Sequence, residues 1–165
     1  MPSLLMKSAL SGLFALAAGA ASAGVTVKYV ESDKFVDLPY DTAERKQVLR
    51  ELTSHFGKLD TRLAQGQELV IEVTDIDLAG GQYPQTKHGD EMRVMRGVGD
   101  APSMNLRFAL VDNGQVIRAG NSRLADTNYL QRVGRFANSD PLRTEKKMID
   151  DWFSVDVIPK PGRDI

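Results

Sequence analysis

The chain contains no cysteine, only two histidines and no long apolar run, and each absence removes a class of function. Without cysteine there is no disulfide framework, no thiolate nucleophile and no cysteine-ligated metal site. With 21 basic and 22 acidic residues the formal net charge is −1, whereas a nucleic-acid binder would carry a basic excess or stripe. The longest apolar run falls short of the roughly 18 residues that a membrane-spanning helix needs. We therefore predict no transmembrane anchor and no nucleic-acid partner.

The first 23 residues have the layout of a secretory signal peptide. Lys7 precedes an apolar run over residues 9–20, which closes on the small residues Ala21-Ser22-Ala23. This pattern predicts export and cleavage after Ala23. Met6 is an alternative initiator, because it stands directly before the cation.

Periodicity in the rest of the chain predicts one α+β domain. Alternating apolar residues indicate strands over residues 25–29 and from Leu69, and apolar residues at three- and four-residue spacings after Asp41 indicate a long helix. Asn113-Gly114 predicts a hairpin, and Asp140-Pro141 predicts the start of a last helix. The expected order is β-α-β-loop-β-β-α, a mostly antiparallel four-stranded sheet with two helices on one face.

The same pattern sets the expected boundaries. Residues 1–23 are the predicted leader, residues 24–158 the domain and residues 159–165 a flexible tail. Within the domain, we expect the first helix to end at Gln65-Gly66 and residues 80–102 to form a long loop.

The register of the predicted hairpin can be stated residue by residue. A two-residue turn pairs Leu110 with Ile117 and Phe108 with Ala119, which places their apolar side chains on one face. Arg118 then points outward.

Asp75 and Asp77 are the strongest candidates for chemistry. They end an alternating strand and break its parity, because Asp75 falls on the side that had been apolar, so the strand must bulge, end or bury a carboxylate there. Two carboxylates at a strand end could chelate a hard cation or act as an acid and base pair. Hydrogen bonding to backbone amides of the following turn, or pairing with an arginine, is the commoner role of such residues, and we favour it.

Glu145 and Asp126 complete the candidate functional or buried polar residues. Glu145 lies on the apolar stripe of the last helix, and a buried carboxylate needs a partner because an unpaired buried charge costs several kcal/mol. Arg93, Arg96 and Arg123 are available from the loops. We favour a structural ion pair for Glu145.

Two further groups are weaker candidates for binding. Tyr129 and Trp152 could line a groove, although an aromatic residue at helical spacing more often belongs to the core. Arg93, Arg96 and Arg107 could form a basic patch for an anionic partner, although a solvated surface is the commoner role of such residues.

No motif predicts a metal site, a cofactor or a catalytic residue. His55 and His88 stand apart in the sequence, and no serine lies in a nucleophile elbow. The glycines at positions 97 and 99 lack the third glycine and the helix of a phosphate-binding loop.

Several stretches resemble the exported bacterial domain of unknown function 3016 family. They are Thr74–Gly80, which is the most specific, then Glu145–Met148 with Asp151-Trp152-Phe153, the hairpin, and Leu124-Ala125-Asp126 with Tyr129. The likeness covers roughly residues 25–153. It implies a periplasmic or otherwise exported protein of Gram-negative bacteria, and it brings no activity, cofactor or catalytic residue with it.

The leading hypothesis is a non-enzymatic periplasmic domain that binds a protein or a small molecule in the cell envelope or assists envelope assembly. The alternative is a small carboxylate- or metal-dependent hydrolase that uses Asp75, Asp77 and Glu145, which requires these side chains to converge in one open pocket. A third possibility is a ligand-binding protein whose long loop closes over a small molecule.

Overall fold

The computed structural model describes residues 24–84, 91–94, 98–132 and 140–158. The predicted leader and tail lie outside these ranges. The strands are β1 (Gly24–Tyr29), β2 (Gln67–Asp77), β3 (Gly81–Pro84), β4 (Glu91–Val94), β5 (Ser103–Asp112) and β6 (Gln115–Ala125). The helices are α1 (Thr42–Gly57), α2 (Tyr129–Arg132) and α3 (Arg143–Trp152), which continues into a π-helical turn over Phe153–Val157.

Four strands form the main sheet in the order β1-β2-β5-β6. β1 pairs with β2 in parallel, whereas the β2–β5 and β5–β6 pairs are antiparallel. The α+β class is therefore confirmed, and the sheet is mixed. Its one parallel pair follows from the crossover through α1, because parallel neighbours need a connection long enough to return the chain to the same end.

Helix α1 begins as predicted and ends earlier than predicted. The Asp41 side chain accepts hydrogen bonds from the N–H groups of Ala43 and Glu44, both at 2.9 Å. The helix ends at Gly57 rather than at Gln65-Gly66, and a 3₁₀ turn over Lys58–Arg62 follows. The helix ends there because glycine weakens a helix. The tighter 3₁₀ turn that follows still buries Leu59, the next apolar residue of the stripe.

Both α1 and α3 pack on the same face of the main sheet. The indole of Trp152 on α3 meets the Phe56 ring of α1 edge to face, with ring centroids 6.4 Å apart, and the Phe108 ring of β5 at 5.3 Å. These three aromatic side chains join two helices and the sheet in one core, and such pairs add stability beyond the area that they bury. The prediction of two helices on one face is thus correct.

The parity break in β2 is a β-bulge. The pairing with β5 shifts between Val73, which lies opposite Leu106, and Asp75, which lies opposite Asn105. After the bulge Ile76 returns to the core and is fully buried. The bulge therefore keeps the apolar residues of β2 on the helix side along the whole strand.

The hairpin turn is the predicted one, but the predicted register of the strands beyond it is wrong by one residue. Asn113 and Gly114 both have positive φ, at 47° and 82°, as the two-residue hairpin turn requires. The pairing then shifts, so that Leu110 lies opposite Arg118 instead of Ile117, and Phe108 opposite Gly120 instead of Ala119.

The packing of Phe108 explains this shift. A Cβ added at Gly120 would lie 3.3 Å from the Phe108 ring, so the position opposite that ring suits a residue without a side chain. The bulge brings Gly120 to this position. It also turns Arg118 to the helix side, where its guanidinium donates to the backbone oxygen of Asp156 at 2.7 Å, contrary to the outward orientation predicted for Arg118.

The predicted long loop over residues 80–102 contains regular structure. β3 and β4 form a separate antiparallel hairpin, and a 3₁₀ turn covers Val98–Asp100. The short helix α2 lies at residues 129–132, where the polar stretch after the hairpin suggests a short helical turn. No helix within the described ranges is both long and apolar enough to cross a membrane.

Candidate functional site

Asp75 is held by backbone amides. Its Oδ1 accepts from the N–H of Val36 at 2.9 Å and from the N–H of Ile76 at 3.0 Å. The first of these bonds ties the β2 bulge to the segment between β1 and α1. This carboxylate therefore positions backbone at the point where the strand changes register, and neither donor belongs to the turn after β2 that the sequence suggested.

Glu145 and Asp77 approach the same end of β2. Glu145 is 1% exposed, and its Oε1 accepts from the N–H of Ala79 at 2.7 Å, two residues beyond Asp77. Asp77 lies opposite Ser103 in the sheet and forms an isolated bridge with Asp37. Helix α3 is thus fastened to the end of β2 by a hydrogen bond between a side chain and the backbone inside the core.

The arginine partners predicted for Glu145 have different outcomes. Arg123 makes no bond to Glu145, because it lies on β6 with its side chain exposed. Arg96 lies outside the described residues. Arg93 stands opposite Gln82 in the β3–β4 hairpin, and its side chain is outside the described part of the chain.

Asp126 closes a turn between β6 and α2. It is 6% exposed, and its Oδ1 accepts from the N–H of Asn128 at 3.0 Å. Its own N–H donates to the oxygen of Pro102 at 3.2 Å, so it joins two connecting segments. An aspartate that accepts from the backbone two residues on is a common turn former.

The two aromatic candidates are core residues. Tyr129 is 1% exposed and Trp152 is 5% exposed. Within the described ranges, neither the Tyr129 hydroxyl nor the Trp152 indole N–H has a hydrogen-bond partner. Trp152 also lines a groove of about 300 Å³ between β6 and α3, together with Asp126, so these two predicted residues lie at one surface feature.

The described residues contain no group of three histidine, aspartate or glutamate side chains arranged to hold a metal ion. His55 on α1 lies 3.1 Å from a carboxylate oxygen of Asp150 on α3, which joins the two helices. His88 lies outside the described residues.

Two titratable groups with shifted pKa values lie away from these carboxylates. Burial raises the pKa of Tyr29 to about 12, although the hydrogen bond with Thr53 acts in the opposite direction. Burial alone would also raise the pKa of Asp140, but bonds from the Lys146 ammonium and the Leu142 N–H lower it below its usual value. Asp140 accepts that N–H at 2.9 Å, but α3 begins at Arg143 with Leu142 in the cap position, later than the start predicted at Asp140-Pro141.

A polar surface lies on the sheet face opposite the helices, and Arg107 is its only residue that the sequence offers as a candidate for binding an anion. Asn105 and Arg107 of β5 lie opposite Arg123 and Asn121 of β6, and all four line a cavity of about 390 Å³. Alternation along each strand is visible in the sequence. The bulge in β6 is not, and without it Asn121 and Arg123 would point toward the helices, because a shift of one residue exchanges the two faces of a strand.

Comparison with known proteins adds a family and no activity. Neither the curated proteins nor the solved structures gave a match. A family model described as a protein of unknown function, DUF3016, matches residues 23–155, which is most of the chain and includes the stretches on which the resemblance rested. The chain therefore belongs to the DUF3016 family.

Proposed function

We propose that this chain is an exported, non-enzymatic binding or assembly-accessory domain of the bacterial cell envelope, located in the periplasm. The observation that carries the proposal is the engagement of the candidate carboxylates. Asp75, Asp126 and Glu145 each accept hydrogen bonds from backbone N–H groups. Each of these side chains therefore holds a segment of backbone in place.

The same contacts weigh against the hydrolase alternative. A general acid or base must reach the proton that it transfers in a bound substrate. Glu145 is buried at 1% exposure against the Ala79 N–H, while Asp75 bonds toward the segment between β1 and α1. An acid and base pair made of these residues would have to give up the bonds that hold β2 to its neighbours.

Strand β6 supplies a surface for a protein partner. It has eleven residues, lies at the edge of the main sheet and pairs only with β5 within the described ranges. Val116 and Ile117 near its start are 51% and 53% exposed. An exposed sheet edge can accept an extended segment of another protein as an additional strand, with main-chain hydrogen bonds giving affinity.

Site-specific photo-crosslinking in cells tests this function. A crosslinking residue at Ile117 should capture a defined envelope protein, and the same residue at Gln47, exposed on α1, should not. Adding the substitution Ala119→Lys, which places a charge on the edge strand, should reduce capture, because charges on an edge oppose strand addition. Equal capture from Ile117 and Gln47, or none from either, would contradict a partner at β6.

Cell fractionation tests the location. The chain should be recovered from the periplasm in a form that begins at residue 24, and Ala23→Arg should block this processing because the cleavage site requires small residues. Recovery of an unprocessed chain from the cytoplasm would reject export.

A further inference from the structure

Four polar residues form a two-by-two grid on the open face of the β5–β6 ladder. Asn105 lies opposite Arg123, and Arg107 lies opposite Asn121. The two arginines are therefore diagonal neighbours on adjacent strands, a spacing of roughly 7–8 Å between their backbones that long side chains can span. Thr74 from the β2 bulge lines the same cavity.

The hydrogen-bonding groups of this grid are largely uncommitted. Arg107 gives its Nε–H to Glu72, and Glu72 also faces Lys28 at 3.9 Å. The terminal nitrogens of Arg107 and the whole guanidinium of Arg123 make no bond to any residue in the described ranges. The side-chain amides of Asn105 and Asn121 are also without a bond in that part of the chain. The cavity thus gathers N–H donors around a positive charge that Glu72 offsets only in part, and Arg123 also lines the neighbouring groove that contains Asp126, Asp151 and Asp156.

The residues that line this cavity include no carboxylate. Two guanidinium groups at diagonal positions repel each other, and an anion between them would remove that repulsion. Guanidinium groups bind oxyanions through pairs of parallel hydrogen bonds, which makes arginine the preferred residue for such recognition. Asparagine amides on both sides add two further donors.

We infer that this grid is a binding site for a phosphate group, with Arg107 and Arg123 as its two charged donors and Asn105 and Asn121 as its neutral ones. The phosphate is carried either by a soluble compound or by a lipid headgroup. The site is independent of the partner surface proposed for β6, since it uses side chains on the sheet face and not the backbone of the strand edge.

Titration with inorganic phosphate tests the site. The protein is purified from cells that express the full chain, and its NMR spectrum is followed at constant ionic strength, with chloride in place of phosphate as the reference. Saturable shifts should appear in the side-chain signals of the grid. Arg123→Gln should weaken binding about tenfold or more, because it removes a charge-assisted pair of hydrogen bonds. Arg50→Gln, at an exposed arginine of α1, should leave the affinity unchanged.

Other results would overturn the inference. The inference fails if phosphate causes no saturable shifts, or if the Arg123→Gln protein binds phosphate with the same affinity as the wild type. Because Arg123 is exposed, the spectrum of that variant should otherwise match the wild type, which separates lost binding from lost folding.

Vesicles distinguish the two sources of phosphate. Cosedimentation with phosphatidylglycerol vesicles but not with phosphatidylcholine vesicles, abolished by Arg123→Gln, would assign the site to an anionic lipid headgroup. Binding of inorganic phosphate without cosedimentation would assign it to a soluble phosphate compound.

Discussion

The two faces of the main sheet differ in the burial and hydrogen bonding of their polar side chains. On the helix side, Glu145 is buried and bonds the Ala79 N–H, and Ser122 donates to a carboxylate oxygen of Asp156 at 2.8 Å. On the open side, Arg123 is exposed and has no partner in the described part of the chain. Most polar groups inside a core are satisfied by the fold itself, with the Tyr129 hydroxyl and the Trp152 indole N–H as exceptions among the described residues, whereas those on a solvated face can retain bonds for a ligand.

This contrast changes which residues are the better candidates for function. The parity break in β2 makes Asp75 the most conspicuous candidate in the sequence. In the fold, its carboxylate accepts hydrogen bonds from backbone N–H groups. The sequence offers Arg123 only as a partner for Glu145, whereas in the fold it lies beside a cavity on the other face. A conspicuous polar residue at a structural irregularity is thus weak evidence for function, since the irregularity itself needs polar groups to satisfy displaced backbone.

Alkaline titration of Tyr29 tests the packing on the helix side of the sheet. Its hydroxyl bonds the Leu49 oxygen and Thr53, and its pKa of about 12 in the fold exceeds the ordinary value of 10.0. The protonated form therefore stabilises the fold fully below pH 10, and this contribution is lost as the pH rises to 12. The loss amounts to about 2–3 kcal/mol of unfolding free energy.

Urea unfolding at several pH values measures this loss. Tyr29→Phe should flatten the decline between pH 10 and 12, whereas Tyr40→Phe, at a tyrosine that is 79% exposed, should retain the wild-type slope. Parallel curves for wild type and Tyr29→Phe would show that the hydroxyl is solvated.

Substitution of Gly120 tests the bulge that separates the two faces. Gly120→Val would force a branched side chain against the Phe108 ring, and overpacking of this kind costs about 1–3 kcal/mol. Gly57→Ala is the matched control, because nothing lies within 4 Å of an added Cβ there; it should stabilise α1 by about 0.5–1 kcal/mol. Thermal unfolding measures both. If Gly120→Val is neutral, Gly120 does not face Phe108 and the register is not the one described.

The four strands of the main sheet and the helices α1 and α3 were predictable because each depends on local patterns. The cap at Asp41, the turn at Asn113-Gly114 and the apolar stripe of α3 all lie where the sequence indicates. The bulge in β6 was not predictable, because it depends on the contact between Gly120 and Phe108 on the neighbouring strand. Short-range periodicity carries no information on such a contact.

The candidate site was predictable only in part for the same reason. The sequence identifies Glu145 as a buried carboxylate that needs a partner, and it is one. Its partner at Ala79 is a backbone amide, and any non-proline residue at that position could supply one. The grid depends on strand register. A register that is wrong by one residue places Asn121 and Arg123 on the opposite face of the sheet from Asn105 and Arg107.

The division of roles between the two faces is tested most directly by comparing unfolding free energies in urea at neutral pH. Glu145→Ala leaves the buried Ala79 N–H without its acceptor and creates a void, so it should lose about 2–4 kcal/mol. The double variant Arg107→Ala/Arg123→Ala removes only exposed groups and one surface ion pair, and it should lose less than about 1 kcal/mol. A double variant as unstable as Glu145→Ala, or a Glu145→Ala protein as stable as the wild type, would contradict the assignment of the buried carboxylate to the fold and of the open face to binding.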